Sequence, residues 1–309
     1  MVRSTQDLKP SGMLTTARAM PVSLLTKIMS SRLDDTLQTK DLLMTEKLLI
    51  NQTGHIMTLT LNMPELRNPI TDKDICAALI DTMQRISTDQ SVRVAILTGA
   101  GKAFSSGGNL KHMRDGEGIF AGDAISVKDG YKAGIQQLAQ AVWDCEVPLI
   151  AAVNGPAYGA GCDLTCMCDI RIASSEATIA ENFVNVGIIP GDGGSWLLPR
   201  QIGLSRAAEM TFTADPIDAQ TALEWGLVSR VVAPAELLPT ATALAKRIAR
   251  NPPRQLRMAK RLMREGMTTG LPQILQLAAA YQGACHQTND HAEAVNALLE
   301  KRQGEFTGT

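Results

Sequence analysis

A chain of 309 residues, 45% hydrophobic and 20% charged, has the make-up of a folded globular protein with room for one large core or two domains. Its 30 basic and 31 acidic side chains leave a net charge of -1, which argues against a nucleic-acid-binding or polybasic membrane surface and leaves any anionic ligand to local positive groups. The six cysteines (Cys76, Cys145, Cys162, Cys166, Cys168, Cys285) lack the spacing and histidine partners of a zinc site. They read as reduced, mostly buried thiols of a cytoplasmic protein without a metal. No apolar run approaches the roughly 20 residues that a membrane-spanning helix needs.

Residues 1–43 are rich in Ser, Thr and Met, show no sustained apolar period, and are expected to be an N-terminal extension, disordered or upstream of a start at Met44. A targeting presequence is the rival reading, which Asp7, Asp34 and Asp35 weaken. From residue 48 the pattern becomes regular. Strands are expected at 48–50 and 56–61, joined by a turn ending at Gly54. A helix follows over 71–87, with Ile75, Leu79, Met83 and Ile86 on one face, then a buried strand over 92–98. After a polar loop at 115–130 the order is helix 135–143, strand 149–153, helix 160–167 and strand 170–173. Such alternation implies crossover connections and an α/β core. Beyond Pro234 only helical patterns remain, at 236–250, 254–264, 272–285 and 291–302. The expected division is an extension to 43, a core over 44–233 and a helical subdomain over 234–309.

Two segments carry chemistry. Gly99 to Met113 (GAGKAFSSGGNLKHM) is a glycine-rich turn after a buried strand, where a ligand can approach the main chain closely and meet outward-pointing N–H groups. Pro148 to Leu164 (PLIAAVNGPAYGAGCDL) runs from a strand through a tight turn into a helix opening near Gly159, where free N–H groups and the positive end of the helix dipole converge. Either segment alone reads equally as a packing turn. Paired donors of this kind are what a developing oxyanion requires.

The two segments lie about 50 residues apart. They are followed by Glu181 to Gly194 (ENFVNVGIIPGDGG), Leu198 to Gly203 (LPRQIG) and Ala222 to Val228 (ALEWGLV). In this order the chain from Leu48 to about Arg302 resembles the enoyl-CoA hydratase/isomerase (crotonase) family. The resemblance implies an α/β fold with a repeated ββα spiral core and a C-terminal helical subdomain, assembled as a homotrimer or a dimer of trimers. It implies an acyl-CoA thioester as ligand, with coenzyme A arriving as part of the substrate and no separate cofactor, and neither a nucleic-acid nor a membrane partner. By motif position Gly108 and Ala160 supply the oxyanion N–H groups. Asn109, Leu110 and Lys111 then lie along the thioester, and Arg67, in the PELRNP block, sits near CoA, so that Arg67 and Lys111 can meet its phosphates.

Hydratases of this family use two glutamates, because adding water to a conjugated double bond needs a base for the water and a proton for the α-carbon. At the first position this chain has Asp163; at the second it has Phe183, which moves no proton. Glu181, two residues earlier, shares the face of Phe183 only if the segment is extended. Asp192, in a glycine turn, is a further candidate acid, with the alternative of capping the helix that contains Trp196. Hydration of a 2-enoyl-CoA to a 3-hydroxyacyl-CoA is the expected reaction. Alternatives are enoyl- or dienoyl-CoA isomerisation, aryl-CoA dehalogenase-like chemistry, and binding of an acyl-CoA without catalysis. Cys162 reads as a packed thiol, and of the four histidines His112 alone lies near the site.

Overall fold

The computed structural model describes residues 46–309, so the N-terminal extension and the proposed start at Met44 lie outside the described residues. The main sheet has six strands in the order β1 (Leu48–Thr53), β2 (Ile56–Leu61), β3 (Val94–Gly99), β4 (Leu149–Val153), then the sixth and ninth strands of the chain (Ile170–Ser174 and Arg230–Val232). The first pair is the expected hairpin, turning at Gly54 with φ 58°; every later neighbour is parallel.

Parallel strands reached by crossovers are covered on both faces, and the period of two decides which side chain goes where. Ala95, Leu97, Leu149, Ala151 and Val153 enter the larger core with the helices α1 (Lys73–Thr88) and Ile135–Asp144. Val94, Ile96, Ile150 and Ala152 point to the opposite face. There they meet Leu237, Ala241, Ala245 and Ala249 of the helix Leu237–Ala249. Small residues repeated every four positions let that helix lie close against the sheet, and each buried Ile or Leu contributes about 1.5–3 kcal/mol.

A second stack of short strands was not expected from the sequence. It comprises β5 (Ala157–Tyr158), β7 (Thr178–Ala180) and β8 (Ile217–Asp218), and single bridges extend it from Ala157 to Ser105 and from Gly107 to Pro69. Each turn of the chain thus adds one long strand to the main sheet and a short one to the stack, and this is the spiral. The stack draws the two glycine-rich turns together: Tyr158 N–H donates to the Ser105 carbonyl at 3.0 Å, and Gly159 N–H to that of Ala180 at 2.9 Å.

Helices α2 (Leu110–Asp115), α3 (Ala124–Ala133), α4 (Ile135–Asp144) and α5 (Ala160–Met167) follow in chain order. The polar loop expected at 115–130 is a correction, because most of α3 occupies it. The Asp123 carboxylate accepts the Ser126 N–H at 2.9 Å and caps the helix, which buries none of its residues and therefore leaves no apolar stripe in the sequence. Helices at Gly194–Ile202, Leu204–Thr213 and Ala219–Glu224 fill the stretch before the last strand.

Beyond Val232 only helices follow, the last three being Pro253–Glu265, Leu271–His286 and Asn289–Leu299. Cations staple this region to the core. Lys260 pairs with Asp169 at 2.8 Å and donates to the Val147 carbonyl at 2.7 Å; Arg264 pairs with Asp169 at 2.9 Å. Arg93, just before β3, donates to the carbonyls of Ala249 and Phe306 at 2.8 and 2.6 Å. Arg257 reaches the carbonyls of Ile86, Ser87, Asp89 and Val92, the end of α1 and the turn behind it. Buried cations placed this way are costly to strand, so the staples hold only as complete sets. Among the described residues no helix is long and apolar enough to cross a membrane.

Candidate active site

The predicted site residues fall into two adjoining compartments. The first is a groove with a cavity of about 390 Å³, lined by Arg67, Gly108, Asn109, Leu110, Lys111 and Ala160, with Met113, Asn182 and Phe183 among the other walls. All six predicted binding positions are therefore together. A Cβ on Gly107 would lie 2.9 Å from the Ala160 nitrogen, which measures how closely the two turns touch. Ala160 opens α5, so its N–H has no partner within the helix, and Gly159 before it holds φ 51°, ψ -120°, a backbone that only glycine adopts readily. Among the described residues neither the Gly108 nor the Ala160 N–H meets an acceptor. The Met113 methyl packs onto Gly108, so a ligand reaching that N–H displaces a flexible thioether.

Arg67 stands at the groove mouth on a strained turn. It and Asn68 both take left-handed backbone, φ 61° and 55°, at about 1–3 kcal/mol each. The buried Asn68 side chain holds the turn: it accepts the Met63 N–H at 2.8 Å and donates to the Ala100 and Ala103 carbonyls at 2.9 and 2.8 Å. Asn109 caps α2 by accepting the Lys111 N–H at 3.1 Å, and both Arg67 and Lys111 are exposed. His112 is drawn away from the groove, its Nδ1 lying 3.1 Å from Asp72.

The second compartment is a closed acid box. Asp163 lies three residues into α5 from Ala160 and is fully buried, as is Glu181; Asp192 is 3% exposed. Asp163 Oδ2 accepts the Gly194 N–H at 3.0 Å, and this is the one hydrogen bond to the three carboxylates among the described residues. Asp163 Oδ1, both oxygens of Glu181 and Asp192 Oδ1 have no partner among the described residues. A Cβ on Gly194 would collide with both Asp163 Oδ1 and Glu181 Oε1, so glycine is required where the two carboxyls meet.

Burial, then the neighbouring charges of Glu181 and Asp192, raise Asp163 well above the ordinary carboxylate range. Burial pushes Glu181 up to about 8 and Asp192 up to about 7. The Cys162 thiol lies within 4.8 Å of the Asp163 and Glu181 oxygens. Its hydrogen bond with Cys166 and its burial raise it well above the ordinary thiol range.

Asp192 does not cap the following helix. That helix starts at Gly194 with Gly193 as its cap residue and no side-chain cap bond. Asp192 instead borders a separate cavity of about 450 Å³ shared with Trp143 and Trp196, whose rings meet edge to face at 5.1 Å. Glu181 and Phe183 part company: past β7 the chain leaves the extended state and coils into a short 3-10 helix at Phe183, so Phe183 faces the groove and Glu181 the box. The even spacing of the two residues would have matched only an extended segment.

The enoyl-CoA hydratase/isomerase family model matches residues 51–309. The chain is 34% identical to a crotonyl-CoA hydratase of Syntrophomonas wolfei, over 84% of this chain and 98% of the relative. It is 36% identical to a 1,2-epoxyphenylacetyl-CoA isomerase of Escherichia coli, over 82% and 95%. A solved enoyl-CoA hydratase from Bacillus anthracis superposes with a TM-score of 0.79 at 34% identity, covering 85% of this chain and all of that one.

Proposed function

The chain belongs to the enoyl-CoA hydratase/isomerase family, and from that premise we propose that it hydrates a 2-enoyl-CoA to a 3-hydroxyacyl-CoA. The observation that carries the reading is the pair of N–H groups at Gly108 and Ala160, which meet no acceptor among the described residues and are brought to one groove by the stack of short strands. A thioester carbonyl seated between them gains two preorganised donors as its oxygen takes on enolate charge, and the α5 dipole adds to the same field. Water adds its oxygen to the β-carbon, the π electrons move to the α-carbon and thioester oxygen, and a proton then reaches the α-carbon.

Asp163, buried one helical turn from Ala160, and Asp192, on the neighbouring cavity, are the acids assigned to proton and water handling; neither lines the groove, so the assignment requires water to pass between the two compartments. Arg67 and Lys111, exposed at the groove mouth, are assigned to the phosphates of CoA, which comes and leaves as part of the substrate. Double-bond isomerisation is the second reading. It is favoured by Phe183 in the groove wall, since moving one proton from carbon to carbon needs a single carboxylate.

The assembly that fits is a homotrimer or a dimer of trimers. The helix Leu271–His286 buries none of its residues among the described residues, and Leu271, Leu275, Leu298 and Leu299 are 67%, 56%, 79% and 77% exposed, apolar area that a second copy would cover. Six free thiols fit a reducing cytoplasm. Purified protein mixed with crotonyl-CoA tests the activity: loss of the conjugated thioester absorbance with 3-hydroxybutyryl-CoA as product supports hydration. Tight binding of every enoyl ester offered, without turnover, would overturn it.

A further inference from the structure

We propose that Glu181 is the second acid of this site, sharing one proton with Asp163 across the buried gap at Gly194 and acting on the reaction through Asp163. The proposal deepens the hydration reading and rests on it. Asp163 Oδ1 and Glu181 Oε1 converge on the point that a Gly194 side chain would occupy, both groups are wholly buried, and neither oxygen has a partner as two carboxylates. Two ionised carboxylates have nothing to donate to each other; with one proton between them the same contact becomes a hydrogen bond. No Lys, Arg or His pairs with the cluster among the described residues, and the Gly194 N–H is the one backbone donor to it. Like charges so placed do not both ionise at neutral pH, and burial acts on each group in the same direction.

Glu181 is therefore a positioning residue for the proton and is placed to take the part that Phe183 cannot. When Asp163 takes a proton from water, the shared proton passes wholly to Glu181, and the pair goes from one proton to two. The hydroxyl goes to the β-carbon. When Asp163 returns a proton to the α-carbon, the shared proton comes back to the middle, and the pair is restored with no other donor consumed.

The wild-type protein and Glu181→Gln test this together, by kcat and KM for crotonyl-CoA across pH and by the infrared carbonyl stretch of neutral carboxylic acids. The wild type should show a buried neutral-acid band at neutral pH beyond the one that Asp192→Asn removes, and Glu181→Gln should lose it. That variant keeps shape and a donor but holds no transferable proton, so kcat should fall about 100-fold with KM within about twofold, and one ionisation should leave the pH profile. Glu181→Asp should recover part of the rate. Absence of the band in the wild type, which needs no variant to fold, would overturn the shared proton. Turnover in Glu181→Gln within about threefold of wild type, with the same pH profile, would overturn the role. A wild type that shows the band but hydrates nothing would sink the hydration reading and leave the acid pair standing.

Discussion

The groove and the acid box share one short helix yet are built on opposite principles. At the N-terminus of α5 the groove uses main-chain donors, whose chemistry is the same whatever side chain stands there; alanine at position 160 serves as well as any residue the turn admits. One turn later the box works through its carboxyl side chains, with the Gly194 N–H as their one backbone donor among the described residues, and a change from carboxylate to phenyl or amide rewrites it. The groove is open, its donors waiting for an acceptor; the box is closed, its four acceptors waiting for protons. A stabilising field can be built from backbone and left in place, whereas proton traffic needs groups that change state.

The difference can be broken most sharply at its backbone end. Ala160→Pro deletes one N–H at the first helical position, where proline is tolerated, and should lower kcat by about 10² to 10³ in a protein of normal helical content by circular dichroism. Asp163→Asn keeps the shape of the box and removes its central carboxylate. Steady-state kinetics should give at least about a tenfold loss in kcat, and near wild-type turnover would return Asp163 to a purely structural part.

Arg67→Ala tests the groove mouth. KM for crotonyl-CoA should rise about three- to tenfold with kcat unchanged, as expected when uniform binding is removed. The smallest effect concerns stability. The folded-state values of Asp163, Glu181 and Asp192 all lie above their unfolded ones, so the folded protein binds more protons than the unfolded chain between those limits. Stability is fully present below the ordinary carboxylate range and is lost as pH rises, for Glu181 between 4.5 and about 8. Tm should fall over that window by a few degrees, and Glu181→Gln should flatten the slope. A Tm that rises across the window would contradict the closed box.

Much of the groove was legible in the sequence because its devices are local. Glycine clusters after buried strands and a helix opening at Gly159 mark free N–H groups without reference to anything distant. The box was only half legible. Asp163 follows from its place one turn into α5, but whether Glu181 and Phe183 share a face depends on where β7 stops, and an extended chain through residue 183 would have put them on one face. The stack escaped notice because strands of two and three residues are too short to show a period. Helix α3 escaped because it buries nothing; its signal was the Asp123 cap with Ser126, which a hydrophobic pattern does not register.

The staples between Arg93, Arg257, Lys260 and the chain around them set an order on biosynthesis. Arg93 leaves the ribosome long before Phe306, one of the two carbonyls it serves, and Asp169 long before Lys260 and Arg264. At about 5–20 residues per second, the sheet waits on the order of ten seconds for the last of these groups. The face that Leu237–Ala249 covers is closed earlier, once residue 249 has emerged, so the sheet is roofed before its staples are complete.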